Sequence, residues 1–411
     1  MRDTSLPWEQ ARRVAAASSG PLPVTEARLD EAVGSVLAAP IVALTDLPPF
    51  ASAAMDGYAV HGNGPWRIAD EDPRLAGHPE AAALSDGHAV PIATGALLPA
   101  GATAVLRSED AVVENALHGA RLYLRDPLTG LADDMNRAPA AGTDIRPQGE
   151  ECATGDVLVP SGVVLGPAAV GLAAAAGYDV LEVIPAPTVA VMVLGDELLE
   201  RGIPRGGRVL DALGPLVPPW LASFGARANP PVRVPDSRQA LVDEIEDSTA
   251  DVIVTTGSTA SGPVDFVHDV LDHLGARWIV DGVQVRPGHP MVLAKLLDGR
   301  HVVGLPGNPL AAVSGLVTLA FPLVMSLRGL PEVAANPPAV VATLLDDVRA
   351  HPHDTRLIPV TLETGNVARP LLYGGPAMLR GLALADGIAV IPPQSGQRGA
   401  RIDVLPLPPL P

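Results

Sequence analysis

Residues 188–202 read TVAVMVLGDELLERG, and the pattern of the first seven sets the fold class. From Thr188 to Leu194 the run is apolar after its first hydroxyl, with no alternation of polar and apolar side chains. A strand with one wet face alternates; a strand covered by helices on both faces does not. The stretch therefore predicts a buried strand of an α/β sheet. Gly195 ends it, and Asp196 and Glu197 form a polar exit. They either ligate a divalent cation such as Mg2+, orient a ligand, or simply leave the core.

Working outward, the same grammar recurs. SRQALVDEIEDSTA (237–250) and GPVDFVHDVLDHLG (262–275) read as helices, and DVIVTTG (251–257) as a strand. RWIVDGVQV (277–285), MVLAKLL (291–297) and HVVGLPG (301–307) read as further strands. NPLAAVSGLVTLAFPLVMSLRG (308–329) predicts a helix with Asn308 at the N-cap and Pro309 at the first helical position. Apolar strands alternating with helices predict an open α/β sheet over 186–332, with its ligand site at the carboxyl ends of the strands. LDALGPLVPPWLASFG (210–225) is a poorer helix, because Pro215, Pro218 and Pro219 would kink or stop it.

The flanks differ. Helical segments are expected over 9–18 and 24–39, the second opened by Thr25 as N-cap. Short alternating runs between Asp56 and Thr143, broken by Gly and Pro, predict a compact β domain over 46–145. Strand, turn, helix and strand then follow over 155–187. The chain is thus expected to leave a first domain (1–45) and re-enter it (146–185), making the β domain an insertion. Short strands after 332 predict a small C-terminal β domain over 333–411.

Composition limits the function. The 411-residue chain carries 28 Lys and Arg against 46 Asp and Glu, a formal net charge of -18. That argues against nucleic acid or an anionic membrane as partner, while a local basic pocket can still take a small anion. Cys152 is the single cysteine, so neither an intramolecular disulfide nor a zinc cluster is expected. The first residues lack a signal-peptide core, and the apolar run at 173–195 contains prolines and charges. A soluble, cytoplasmic protein is expected.

Glycine-bearing loops leave the strands at Gly195, at Gly257 with Ser258, and at Pro306–Gly307, the last running into a helix N-terminus. Small residues there let backbone N–H groups approach a phosphate or another oxyanion. Neither common nucleotide fingerprint is present. Arg286 and His289, in VRPGHP (285–290), add one permanent cation and one that is charged only when protonated. Asp56 in AMDGY, Asp211 and Asp265 are carboxylates that either serve a site or cap a turn or helix. Ser258, Ser314 and His268 lie in no nucleophile motif.

These pieces resemble, in order and over nearly the whole chain, the molybdopterin molybdenumtransferase family of MoeA and gephyrin E-domain type. The carrying segments are LPPFASAAMDGYAV (47–60), PIATGALLPAGATAVLRSED (91–110), IRPQGEECATGDVLVPSGVVLGPAAVGLAAAAG (145–177), VAVMVLGDEL (189–198), TTGSTASGPVDFV (255–267), VRPGHP, LPGNP (305–309) and MLRGLALADGIAVIPP (378–393). The resemblance implies an α/β multidomain fold: a molybdopterin-binding-type α/β domain, an inserted β domain, a discontinuous N-terminal domain and a small C-terminal β domain. It implies a homodimer whose cleft is shared between subunits. The implied reaction hydrolyses adenylyl-molybdopterin with Mg2+ and inserts molybdate into the dithiolene. Asp56, Glu197 and Asp211 would hold the metal and, with Arg286 and His289, form the catalytic set. Thr94, Gly195, Asp196, Gly257, Ser258, Asp265, Pro306, Asn308 and Arg356 would join Arg286 and His289 in binding the substrates.

The chain also departs from the family pattern. Arg286 and His289 stand where it carries two lysines, and Ala212 and Leu213 replace the polar partners that follow Asp211. Thr256-Gly257-Ser258 replaces a Gly-Gly motif, and Ala51-Ser52-Ala53 replaces Asp-Asn-Ser. Three readings remain at this point: the transferase itself, a catalytically weakened paralogue that binds a molybdopterin-like ligand or a family partner, or an enzyme for another adenylylated small molecule.

Overall fold

The computed structural model describes residues 5–69, 72–77, 83–116, 119–257 and 266–408. The chain splits into two compact units, one of Met1–Ala27, Ala32–Ala38 and Glu182–Pro411, the other of Arg28–Glu31 and Ala39–Leu181.

In the first unit Thr188–Leu194, Val252–Thr256 and His301–Leu305 lie parallel and adjacent. Every residue of the latter two strands is buried. Val189, Val191, Val193, Val254, Val303 and Leu305 pack on one face against Val217, Leu221, Leu310 and Leu316. Met192, Leu194, Ile253 and Val302 pack on the other against Leu241, Ile245, Val270 and Leu271. Both faces are dry, as the unbroken apolar run at 189–194 predicts. The sheet is mixed: Val292–Lys295 and Arg277–Asp281 close one edge antiparallel. Ser237 caps the Arg238–Asp247 helix, its hydroxyl accepting from the Ala240 amide. The Pro309–Leu327 helix is long and apolar enough to cross a membrane, yet 94% of its 18-residue apolar window is buried inside the fold.

Three expectations are corrected. The stretch 24–39 is not a helix; Thr25–Arg28 is a strand, and Val36 and Leu37 pair antiparallel with Ile184 and Val183. Gly34 at φ 86° turns the chain left-handed between them, which a right-handed helix cannot absorb. Leu213–Ser223, by contrast, is one helix with Pro218 and Pro219 inside it. The prolines forfeit two backbone bonds, but Val217, Trp220 and Leu221 are buried, and that packing outweighs the loss. RWIVDGVQV is not one strand either. Gly282 at φ 81° sends Arg277–Asp281 into the α/β sheet and Val283–Arg286 into a different one.

That other sheet carries the C-terminal segment. Val340–Leu344, Thr355–Glu363, Val367–Pro370, Gly387–Ile391 and Arg401–Pro406 close into a ring of strands around Leu344, Ile358, Val360, Ile391 and Val404. Val283–Arg286 joins it parallel to Thr355–Glu363, which makes Arg286 and Arg356 register partners.

The second unit is built on a sheet of Ala111–Ala116, Gly119–Arg125, Trp66–Ile68, His88–Ile92, Gly57–Val60 and Ala104–Arg107. Gly57 is required there: a Cβ would lie 2.0 Å from the Leu106 carbonyl oxygen. Ser52–Ala53 and Ile145–Arg146, on either side of this sheet in sequence, pair with each other. The Pro167–Ala175 helix starts on a proline, whose missing N–H costs nothing at the first helical position.

His301 links this fold to pH. Its imidazole is buried, its Nε2–H donates to the Ser18 carbonyl at 3.3 Å, and its pKa falls from 6.5 to about 4, first through burial and then through Lys295. The unfolded chain takes up this proton first as pH falls, so this contribution is full at neutral pH and is lost towards about pH 4. Between pH 7.5 and 5 the loss amounts to roughly 2 kcal/mol. Urea unfolding at both pH values will show this slope, and His301→Asn will flatten it by that amount.

Candidate active site

The three parallel strands end in step, with Val193 opposite Thr256 and Thr256 opposite Leu305. Gly195, Gly257 and Pro306 therefore leave the sheet along one rim. Gly195, at φ 133°, takes a bend that side chains resist. A cavity of about 730 Å3 opens there, lined by Gly195, Glu197, Asp211, Asp236, Gly257 and Asn308 among others. A second, of about 350 Å3, is lined by Arg286, His289 and Arg356. Both have Pro290, Pro306 and Asn308 as walls, so the carboxylate-lined cavity and the cation-lined cavity are neighbours.

Each predicted residue can now be placed. No hydrogen bond or ion pair to a described residue engages the Glu197 carboxylate, which leaves it available to a ligand. Asp211 has a structural duty: its Oδ1 accepts from the Leu213 and Gly214 amides at 2.9 and 2.8 Å, capping the next helix. Its other oxygen makes no such bond to a described residue. Asp196 is tied up with Asp236, each accepting from the other's amide at 3.1 and 3.3 Å, and Asp236 rather than Asp196 lines the cavity. Asn308 sits at the N-cap as expected, but its side chain makes no capping bond and lines both cavities. The helix N-terminus is less open to an anion than its sequence implies, because the Leu310 and Ala311 amides donate to the Pro376 carbonyl at 2.9 and 3.3 Å. Ser258 and Asp265 lie outside the described residues.

Asp56 and Thr94 belong to the other unit. The Asp56 carboxylate accepts from the Thr94 amide at 2.7 Å. Hydrogen bonds from the Thr94 backbone and side chain hold its pKa below the ordinary carboxylate value. In the same unit, Glu109 pairs with Arg107 at 3.9 Å. Among the described residues no three His, Cys, Asp or Glu side chains gather as a metal cluster. A nucleophile triad gains nothing: Ser314 donates to the Leu310 carbonyl, and His268 stacks on Trp278 and contacts Asp281.

The basic corner is built by strand register. Arg286 ends Val283–Arg286 beside Arg356, and its Nε donates to Oδ2 of buried Asp354 at 2.7 Å. His351 accepts the Asp354 amide at 2.9 Å through Nδ1 and so braces the carboxylate's backbone. Nδ1 of His289 is buried without a hydrogen-bond partner among the described residues. Arg356 donates to the Arg349 carbonyl, and burial followed by repulsion from Arg349 lowers its pKa. Asp354, His351 and Asp236 carry no motif. Asp354 is 68 residues from Arg286 in sequence, so only the strand pairing reveals it.

A cation-lined corner beside a carboxylate-lined cavity, at the carboxyl rim of an α/β sheet, defines a ligand-binding α/β enzyme domain. Residues 6–177 match the family described as MoeA N-terminal region (domain I and II), 190–326 the probable molybdopterin binding domain, and 341–407 the MoeA C-terminal region (domain IV). The chain is 28% identical over 409 residues to a molybdopterin molybdenumtransferase of Staphylococcus aureus strain MSSA476, covering 96% of this chain and 93% of that one. A molybdopterin molybdenumtransferase of Staphylococcus epidermidis is 28% identical over 385 residues, with 90% and 87% covered. The crystal structure of a molybdopterin biosynthesis MoeA protein from Pyrococcus horikoshii superposes with a TM-score of 0.73 at 26% identity, covering 98% of this chain and 99% of that chain. The chain belongs to the MoeA family of molybdopterin molybdenumtransferases. The multidomain architecture expected from the sequence is the one found.

The Arg286–Asp354 pair is testable without substrate. Arg286 is half exposed, so solvent screens much of the attraction, and a double-mutant cycle of Arg286→Met with Asp354→Asn will give a coupling of roughly 1 kcal/mol. Coupling near zero in low salt would show that Asp354 does not hold the guanidinium.

Proposed function

We propose that the chain is a molybdopterin molybdenumtransferase of molybdenum cofactor biosynthesis. It hydrolyses adenylyl-molybdopterin to release AMP and passes molybdate to the dithiolene. The observation that carries the reading is the adjacency of the two cavities across Pro290, Pro306 and Asn308, with Glu197 and Asp211 lining one and Arg286, His289 and Arg356 lining the other. A pterin nucleotide needs room and a metal for its phosphates; molybdate needs cations. The larger cavity falls within the size usual for small-molecule sites.

The donor set fits Mg2+, which typically takes one or two carboxylates and fills its remaining positions with water and substrate phosphate. Glu197 and the unbonded oxygen of Asp211 would hold it, and the ion would neutralise phosphate charge as the AMP bond breaks. Asp56, held ionised by Thr94, is the third member proposed from the family likeness. Arg286, His289 and Arg356 receive the oxyanion, with Asp354 fixing the Arg286 fork. Gly195, Gly257, Pro306 and Asn308 wall the pterin nucleotide. The same likeness supports a cytoplasmic homodimer with a cleft completed by the second subunit. It also supports a division into 1–45 with 146–185, 46–145, 186–332 and 333–411.

The test is AMP release from adenylyl-molybdopterin. The purified protein will release AMP only with both Mg2+ and molybdate, and Glu197→Gln will slow release by roughly 100-fold. Arg286→Lys with His289→Lys will lose rate if the corner is adapted to its own residues and gain rate if it is degenerate. No release above a metal-free control would sink the enzymatic reading; retained binding of the pterin nucleotide would then identify a binding paralogue.

A further inference from the structure

A separate cavity of about 340 Å3 lies farther along the Pro309–Leu327 helix, where Val317 and Phe321 form part of its wall. Those residues come roughly 12–18 Å of helix rise after Pro309, beyond the rim that carries the site described above. Phe224, Pro337 and Leu407 contribute further apolar wall, and Arg12 is the charged residue among those lining it.

Arg12 is only 5% exposed. Its Nη1 donates to the Val317 carbonyl, which belongs to the π-helical turn Leu316–Ala320. The guanidinium carbon lies 5.1 Å from the Trp8 ring centroid and 5.7 Å from that of Phe321. These contacts leave Nη2 buried and without a hydrogen-bond partner, and no carboxylate among the described residues pairs with the group. Burial lowers the Arg12 pKa to about 10, so the side chain is still a cation at neutral pH. A buried cation in the wall of an apolar cavity, with a donor unused, is costly unless an anion completes it.

We propose that this cavity binds an apolar monocarboxylate, its chain against the aromatic and proline walls and its carboxylate received by Nη2 of Arg12. The walls select an apolar body, and the orphaned donor selects an anionic head. A single negative charge matches a single cation. A dianionic phosphate would bring a second charge into apolar surroundings with nothing to offset it. Arg12 contacts none of the residues assigned to molybdate or pterin, so this inference stands independently of the proposed transferase reaction.

Octanoate is a suitable probe, with octan-1-ol as its uncharged counterpart, titrated into the full chain by calorimetry. Octanoate will bind at one site, and octan-1-ol about tenfold or more weaker, as expected for loss of one charge-assisted hydrogen bond. Arg12→Met will weaken octanoate by a similar factor and leave octan-1-ol unchanged. Equal octanoate affinity in wild type and Arg12→Met, or no octanoate binding by wild type, would overturn the proposal. Should Arg12→Met fail to fold, Ser223→Trp provides the second arm, because Ser223 is exposed at the cavity wall and the indole would fill it. Octanoate must then be excluded; wild-type affinity in that variant would equally refute the site.

Discussion

Everything at the proposed site depends on three parallel strands ending in step. Thr188–Leu194, Val252–Thr256 and His301–Leu305 are held in register by their ladders and by burial on both faces. A one-residue slip would exchange the faces of a whole strand, moving Val189, Val191 and Val193 out of one core and into the other. With the register fixed, Gly195, Gly257 and Pro306 emerge together, and the carboxylates that follow the first strand are delivered to the same rim as Asn308.

The second dependency is electrostatic. A chain with a formal net charge of -18 is a poor general attractor of anions. It must concentrate positive charge locally, and the pairing of Val283–Arg286 with Thr355–Glu363 does this by placing Arg286 beside Arg356. The two cations would repel if left alone. Asp354 offsets part of that repulsion at the Arg286 Nε and leaves the Nη groups free of that bond. The C-terminal ring of strands thus supplies a wall of the corner as well as a fold of its own.

Legibility followed the range of the interactions. The α/β sheet was readable at 188–194 because double burial writes itself as an unbroken apolar run. Pro309 announced a helix start because the preference for proline at the first helical position is local. The stretch 24–39 misled, since apolar spacing suited a helix while Gly34 and pairing with residues 183 and 184 decided otherwise. Pro218 and Pro219 misled in the opposite direction, because the burial of Val217, Trp220 and Leu221 is a tertiary fact. At the site, glycine loops and VRPGHP were visible as motifs. Asp354 was not, since its meaning comes from a strand pairing between distant segments, and the Asp196–Asp236 exchange was hidden for the same reason.

The replacement of two lysines by Arg286 and His289 then acquires a geometric sense. A lysine is a mobile point charge that can follow an oxyanion as its bonds rearrange. An arginine held at Nε by a buried carboxylate is a fixed fork, with its remaining donors set before the ligand arrives. Fixed donors stabilise developing charge with little reorganisation, provided the oxyanion sits where the fork points. His289 adds a buried Nδ1 with no partner among the described residues, a position that an oxyanion hydrogen bond would satisfy when the ring carries a proton there. Such a corner gives up adaptability for preorganisation, and its substrate tolerance should be narrower than that of a corner built on two lysines.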